Sequence, residues 1–362
     1  MYRRVLNTVF VAVLFLLASP RADAQGGKFF VDASLGYLFD NHEFDASDGA
    51  VLPSQTFHFI RVSPEIGWRF SPEGGWNSRL VLGVDLVKQA GSRIETLSGA
   101  LADVPFYYLT SYETERGHFV GAAGSFPRTF VVGSYSELMM SEETAQSDFN
   151  LDGMYLGYRK DNFFNEVALD WLGRKGNSRR ARFQILMSGY WKLSPALSLG
   201  WSGSFYHYAG SNQTLGVVDN HHLNLYTVFN FPHGPALDEL SLKIGMLASY
   251  QNERINGDFR APYGGEAEFT LRKSSFGVKN LSALTSDFLP FYDRLDLSGF
   301  AYGSDLYRGS RFYRKGFYDR LEFFWAPRPL GSLRVRVSCR LHFNSSEGFL
   351  GWEQRASLLH NF

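Results

Sequence analysis

The sequence predicts an all-β chain folded as one antiparallel transmembrane β-barrel of about 14 strands, within a range of about 12 to 16. Apolar and polar residues alternate with period two in segment after segment, the pattern of a sheet with a different medium on each face. Beyond the amino-terminal leader, no apolar stretch approaches the roughly 20 residues that a membrane-crossing helix needs. The composition adds a third observation. The chain of 362 residues holds 33 Phe, 19 Tyr and 7 Trp beside 36 Gly, which suits interfacial aromatic girdles, tight turns and closely packed strands. A soluble β-sandwich could share that composition, so the two chain ends decide between them.

At the amino end, Arg3 and Arg4 precede an apolar run from Val5 to Leu17, and Ala22-Asp23-Ala24 offers a small-residue cleavage site before Gln25. Residues 1–24 are therefore expected to be a cleaved signal peptide, and residues 25–362 a single domain. No long Pro/Ser linker or solenoid period divides the remainder.

Along that domain, Phe29, Val31, Ala33, Leu35 and Tyr37 form an apolar face opposite Asp32 and Ser34. Ile60, Val62, Ile66, Trp68 and Phe70 then oppose Arg61, Ser63, Glu65 and Arg69, with Pro64 marking a local break. Asn77 to Leu86 repeats the plan. Phe183 to Gly189, Leu197 to Phe205, Leu240 to Met246 and Ala267 to Leu271 follow it. Leu295 to Ala301, Leu321 to Trp325 and Leu333 to Phe343 lead to a terminal strand. Less regular segments at Phe106–Tyr112, Phe130–Glu137, Met154–Tyr158, Val167–Trp171 and His222–Phe229 complete the candidates. Met154–Tyr158 and Val167–Trp171 fall short of the roughly 9 to 11 residues that span a bilayer and are discounted. Stretches around Val120 and Phe276 are ambiguous. Long connections are expected at Asp40–Ser54, Ser141–Asp152, Gly210–Asn220 and Gln251–Tyr263, one of them folding inward, and Asp219-Asn220-His221 reads as a polar turn.

The last segment sets Trp352, Ala356, Leu358 and Phe362 against Glu353, Arg355 and Ser357. A terminal strand ending on Phe362 resembles the assembly signal of Gram-negative outer-membrane β-barrels. The resemblance spans one strand and implies an outer-membrane location, contact with outer-membrane lipid and delivery by the general barrel-assembly machinery. It specifies no transport family.

The faces opposite the apolar ones define a charged lumen. Arg61, Glu65, Arg294, Asp296, Arg320, Glu322, Arg334, Arg336, Arg340 and Arg355 are the lumen or solute-contact candidates. Arg334, Arg336 and Arg340 form the densest basic row, suited to carboxylate or phosphate, unless Glu322 and Glu353 neutralise it. The charge totals, 36 basic and 36 acidic, argue against a nucleic-acid partner. The sole Cys, Cys339, falls on an outward face. Nothing in the sequence calls for a cofactor or metal, and neither His221-His222 beside Asp219 nor Asp296 and Ser298 with a distant His342 forms a recognisable catalytic or metal motif.

Three functions fit these features. The first is a channel or porin-like protein for small hydrophilic solutes. The second is a non-enzymatic envelope assembly or interaction barrel with a closed lumen, binding an envelope protein or polysaccharide through its long loops. An outer-membrane lipid hydrolase is the third, and it lacks a catalytic constellation.

Overall fold

The computed structural model describes residues 27–44, 54–71, 75–91, 97–314 and 316–362. The expected leader, residues 1–24, and the tip of the first long connection, 45–53, lie outside them.

Among the described residues, sixteen strands form one closed antiparallel sheet. They are β1 (Lys28–Phe44), β2 (Gln55–Phe70), β3 (Trp76–Gly83 and Asp85–Gln89), β4 (Leu101–Asp103 and Phe106–Thr114), β5 (Gly117–Pro127), β6 (Asn150–Lys160), β7 (Phe163–Gly173) and β8 (Arg182–Ser194). The ring continues through β9 (Leu197–Ala209), β10 (Val217–Asn230), β11 (Glu239–Glu253), β12 (Asp258–Arg260 and Tyr263–Lys273), β13 (Phe276–Thr285), β14 (Gly316–Trp325), β15 (Arg334–Asn344) and β16 (Gly348–Asn361). Each strand pairs with its neighbour in sequence. The ring closes where β1 meets β16, in register from Ser34 opposite Asn361 to Phe44 opposite Gly351. Closure leaves no open sheet edge, so the backbone can cross hydrocarbon with its N–H and C=O groups paired.

Side chains obey the predicted alternation. Met246 is 75% exposed on the outer face, whereas Glu166 is fully buried on the inner one. At the end carrying the short turns, Trp76 stacks on Tyr112 and Phe119 packs against Tyr158, with ring centroids 4.7 and 4.6 Å apart. Such aromatic pairs suit the level of the lipid headgroups. The break expected at Pro64 appears across the sheet. β3 is interrupted at Val84, where Pro64 on one neighbour and Pro105 on the other lack donors, and the ladder continues because their carbonyls accept from Val84 N–H (3.1 Å) and Gly83 N–H (2.8 Å).

The strand count lies at the upper end of the expected range. Met154–Tyr158 and Val167–Trp171, discounted for shortness, are the middles of β6 and β7, and the ambiguous stretches around Val120 and Phe276 are β5 and β13. Two expected strands are corrected. Phe130–Glu137 and Leu295–Ala301 belong instead to two long connections, 128–149 and 286–314; the first packs Phe130, Val131 and Tyr135 inside the bore, whereas Leu295, Leu297 and Phe300 of the second stay exposed. The expected Asp219-Asn220-His221 turn is also corrected: all three residues lie within β10, paired with β9 from Val217 to Phe229. The expected loop at Asp40 begins later, because Asp40 to Phe44 continue β1.

Leu225 is exposed on the outer face near the middle of β10. Leu225→Arg should therefore lower stability by about 2–4 kcal/mol in reversible denaturant titration of the bilayer-folded protein. An unchanged midpoint would place this face away from hydrocarbon.

Candidate functional site in the lumen

Two connections on the long-loop side turn into the barrel and meet there. The first, 128–149, starts with a short 3-10 turn at Arg128–Phe130 and contains helix α1 (Glu142–Ser147). Ser141 caps that helix through Oγ, which accepts from Thr144 N–H at 3.1 Å. The second, 286–314, contains the single helical turn Gly303–Leu306 and a 3-10 turn at Arg311–Tyr313. They join directly. Ser141 N–H donates to Arg308 C=O at 3.0 Å, and Ser310 N–H donates to Glu137 C=O at 2.7 Å. Gly309 sits where they cross, and any side chain there would run into the Leu138 carbonyl oxygen.

The wall holds both segments with buried polar groups. Glu166 accepts from Gly133 N–H (2.8 Å), Val132 N–H (3.0 Å) and Tyr135 O–H (2.9 Å). Glu266 accepts from Ser136 O–H (2.7 Å) on one segment and Tyr313 O–H (3.0 Å) on the other, so one carboxylate ties both. Gln251 accepts from Tyr307 O–H (2.7 Å) and donates to Phe288 C=O (2.8 Å). Burial first, then the charges of Glu266 and Glu137, raise the Tyr313 hydroxyl well above its ordinary value of 10, which keeps it a donor. Apolar contacts complete the fit. Leu138, Phe288, Leu289, Phe291 and Tyr313 pack on Tyr206, Tyr208 and Leu247, while Phe130 and Met140 pack on Phe126, Tyr155 and Leu186.

Toward the long-loop end remains a polar cavity of about 300 Å³. Glu142, Glu143 and Asp148 on the first segment line it together with Arg320, Arg340 and Arg355 on the wall and Arg308 of the second segment, and Asp148 pairs with Arg308 at 2.6 Å. Arg320 grips Glu137 through two bonds of 2.7 and 2.9 Å. Burial alone would raise the Glu137 carboxyl, but Arg320, aided by Arg340 and Lys279, brings it down to about 2 from an ordinary 4.5. Arg340 holds Glu142 at 2.8 and 3.0 Å and approaches Glu322 and Glu353 at 3.4 and 3.3 Å. Arg355 contacts Glu142 as well, together with Asp40 and Glu353, each at 3.3 Å.

Of the residues expected in the lumen, Arg320, Glu322, Arg336, Arg340 and Arg355 form one group on three adjacent strands. Arg336 lies toward the short-turn side, 2.9 Å from Glu322 and 4.1 Å from the Phe324 ring centre. Arg334 is exposed beyond it. Arg61 and Glu65 stand apart on β2, where Arg61 pairs with Asp85 at 3.0 Å and Glu65 accepts from Tyr107 O–H at 3.1 Å. Arg294 and Asp296 are corrected from lumen-wall residues to loop residues: Arg294 engages Asp258 and Glu253, and Asp296 engages Arg180. Glu137, Glu142, Asp40 and Arg308 were absent from the expected set. The run Ser141-Glu142-Glu143-Thr144 carries a helix-start signal that could have drawn attention to Glu142.

No protein-family model and no curated protein sequence matches the chain. Among solved structures, the fold is similar to OprD of Pseudomonas aeruginosa, with a TM-score of 0.52 at 10% identity over 95% of this chain and 98% of that one. It is also similar to OmpT, an outer membrane protein of Vibrio cholerae, with a TM-score of 0.53 at 9% identity over 95% of this chain and 100% of that one. At such identities the likeness is one of fold. The closed ring, apolar outer belt and polar interior make the chain an outer-membrane β-barrel protein, located in the Gram-negative outer membrane, where lipid surrounds it.

Glu137→Gln should release the first inward segment, since a hydrogen bond to a charged group contributes about 1.5–3 kcal/mol. Hydrogen–deuterium exchange of residues 134–140 would report the release. The Glu137 carboxyl is depressed on folding, so its contribution is present above an unfolded value near 4.5 and fades as pH falls toward about 2. Once corrected for the intrinsic exchange rate, which itself slows as pH falls, protection of the wild-type segment should drop across that acid window, and the Gln variant should lose this dependence.

Proposed function

We propose that the barrel passes small hydrophilic solutes across the outer membrane as a porin-like channel. The observation that carries this reading is the polar cavity lined by Glu142, Glu143 and Asp148 of the inward segment and by Arg320, Arg340 and Arg355 of the wall. Opposed charges across a confined aqueous space create a transverse field that orients dipolar solutes and disfavours apolar ones. In outer-membrane barrels the short turns face the periplasm, so the cavity would open toward the exterior. Reconstitution into planar bilayers or solute-loaded liposomes, beside a known channel, tests the proposal. Conductance or efflux supports it, and sealed vesicles containing correctly folded protein count against it.

A second reading has its own observation. The inward segments bury two apolar clusters within the bore, which favours a filled barrel acting as an envelope interaction or assembly scaffold. Its partner would be an envelope protein or polysaccharide meeting the long loops. Absent conductance together with a stable crosslinked complex would select this reading. A lipid hydrolase has less to rest on, because Asp296 engages Arg180, Ser298 meets Thr214, and His342 engages Tyr318.

Arg336→Glu gives a sharper test of the channel. Its side chain is partly exposed to the bore, and the change replaces one positive with one negative charge beside Glu322. Zero-current potentials under a salt gradient should shift toward cation preference. Unchanged selectivity in a normally folded variant would remove Arg336 from the conducting path.

A further inference from the structure

We propose that Arg340 and Arg355 form a binding site for small organic monocarboxylates, occupied in this conformation by the protein's own Glu142 as a tethered competitor. The inference rests on the channel reading for its biological meaning and on the geometry of the fork for its chemistry.

The partners of the two arginines differ in exposure. Arg340 and Arg355 have side chains only 6% and 9% exposed, and they are held from behind by the wall carboxylates Glu322, Glu353 and Asp40. Glu142 arrives from the inward segment, with its side chain 42% exposed to the cavity. Its carboxylate takes both terminal nitrogens of Arg340, at 2.8 and 3.0 Å, and also contacts Arg355. That is the two-point recognition with which a guanidinium binds a carboxylate. The Arg340 Nε is buried with no hydrogen-bond partner among the described residues. Rotation of the Glu142 side chain into the 300 Å³ cavity would vacate the fork while the Ser141 cap and the Ser141–Arg308 bond stay in place.

Charge sets the class of ligand. Without Glu142, the local group contains Arg320, Arg336, Arg340 and Arg355 against Asp40, Glu137, Glu322 and Glu353, four charges of each sign. In Glu142→Gln, a monocarboxylate restores the charge and the arginine bonds that Glu142 otherwise supplies. A dianion brings an extra negative charge among four carboxylates, so inorganic phosphate near neutral pH should bind less well.

Ligand-observed NMR with sodium acetate on the folded full-length mature barrel in detergent micelles tests this without requiring passage. If the fork is free about a tenth of the time in the wild type, Glu142→Gln should bind acetate about tenfold more tightly. Adding Arg340→Gln to that variant should abolish the gain, and inorganic phosphate should compete less well than acetate. Equal acetate affinity in wild type and Glu142→Gln, or a gain that survives Arg340→Gln, would overturn the proposal. Glu142→Asp, which withdraws the carboxylate by one methylene, provides a second variant should Glu142→Gln lose the heat-modifiable gel mobility of a folded barrel. Acetate binding without conductance would leave this inference standing while defeating the channel; conductance without Glu142-sensitive acetate binding would do the reverse.

Discussion

Backbone hydrogen bonding in a medium without water is the constraint on which the structure depends. Sixteen strands can cross hydrocarbon only because β1 and β16 pair and leave the sheet no edge. Closure fixes the register, and the register fixes which side chains meet lipid. A slip of one residue would exchange Val337 for Arg336 and Phe323 for Glu322 at the lipid face. The polarity of the lumen follows from the same alternation.

The polar lumen still has to be organised, and two inward segments do that by using wall carboxylates as anchors. Glu166 and Glu266 are buried acids whose partners are largely backbone and hydroxyl donors of those segments. Burying them unpartnered would be costly, so each favours the docked loop. Arginines make the complementary attachment through Glu137 and Glu142. The first inward segment is therefore held by charge on both flanks, and the space left between it and the basic wall is the cavity.

Much of this was legible in the residues, and the places where it was not share one cause. Strands whose inner face meets water or ions, such as β14 with Arg320 and Glu322 or β15 with Arg336 and Arg340, show clean alternation. Strands beneath the inward segments do not. β5, β6 and β7 carry Ala122, Phe126, Leu151, Tyr155, Phe164 and Ala168 on the inner face, and β13 carries Leu281 and Ala283, because an apolar loop packs there. Those inner apolar residues erase the period-two signal. The same loop chemistry made Phe130–Glu137 resemble a strand, since Phe130, Val131 and Tyr135 pack on the inner wall. The basic half of the site was visible as an arginine row, while its acidic half showed only as a helix-start signal at Ser141-Glu142-Glu143-Thr144, which does not say that the helix turns into the bore.

If the barrel conducts as proposed, the two inward segments, which meet where Gly309 touches Leu138, bound its passage. Single-channel conductance of Gly309→Val tests it most directly, since a side chain at that crossing must push the segments apart. A unitary conductance larger than that of wild type is expected in a variant that folds normally. An unchanged conductance, with the barrel intact, would mean that the passage lies elsewhere or that these segments do not bound it.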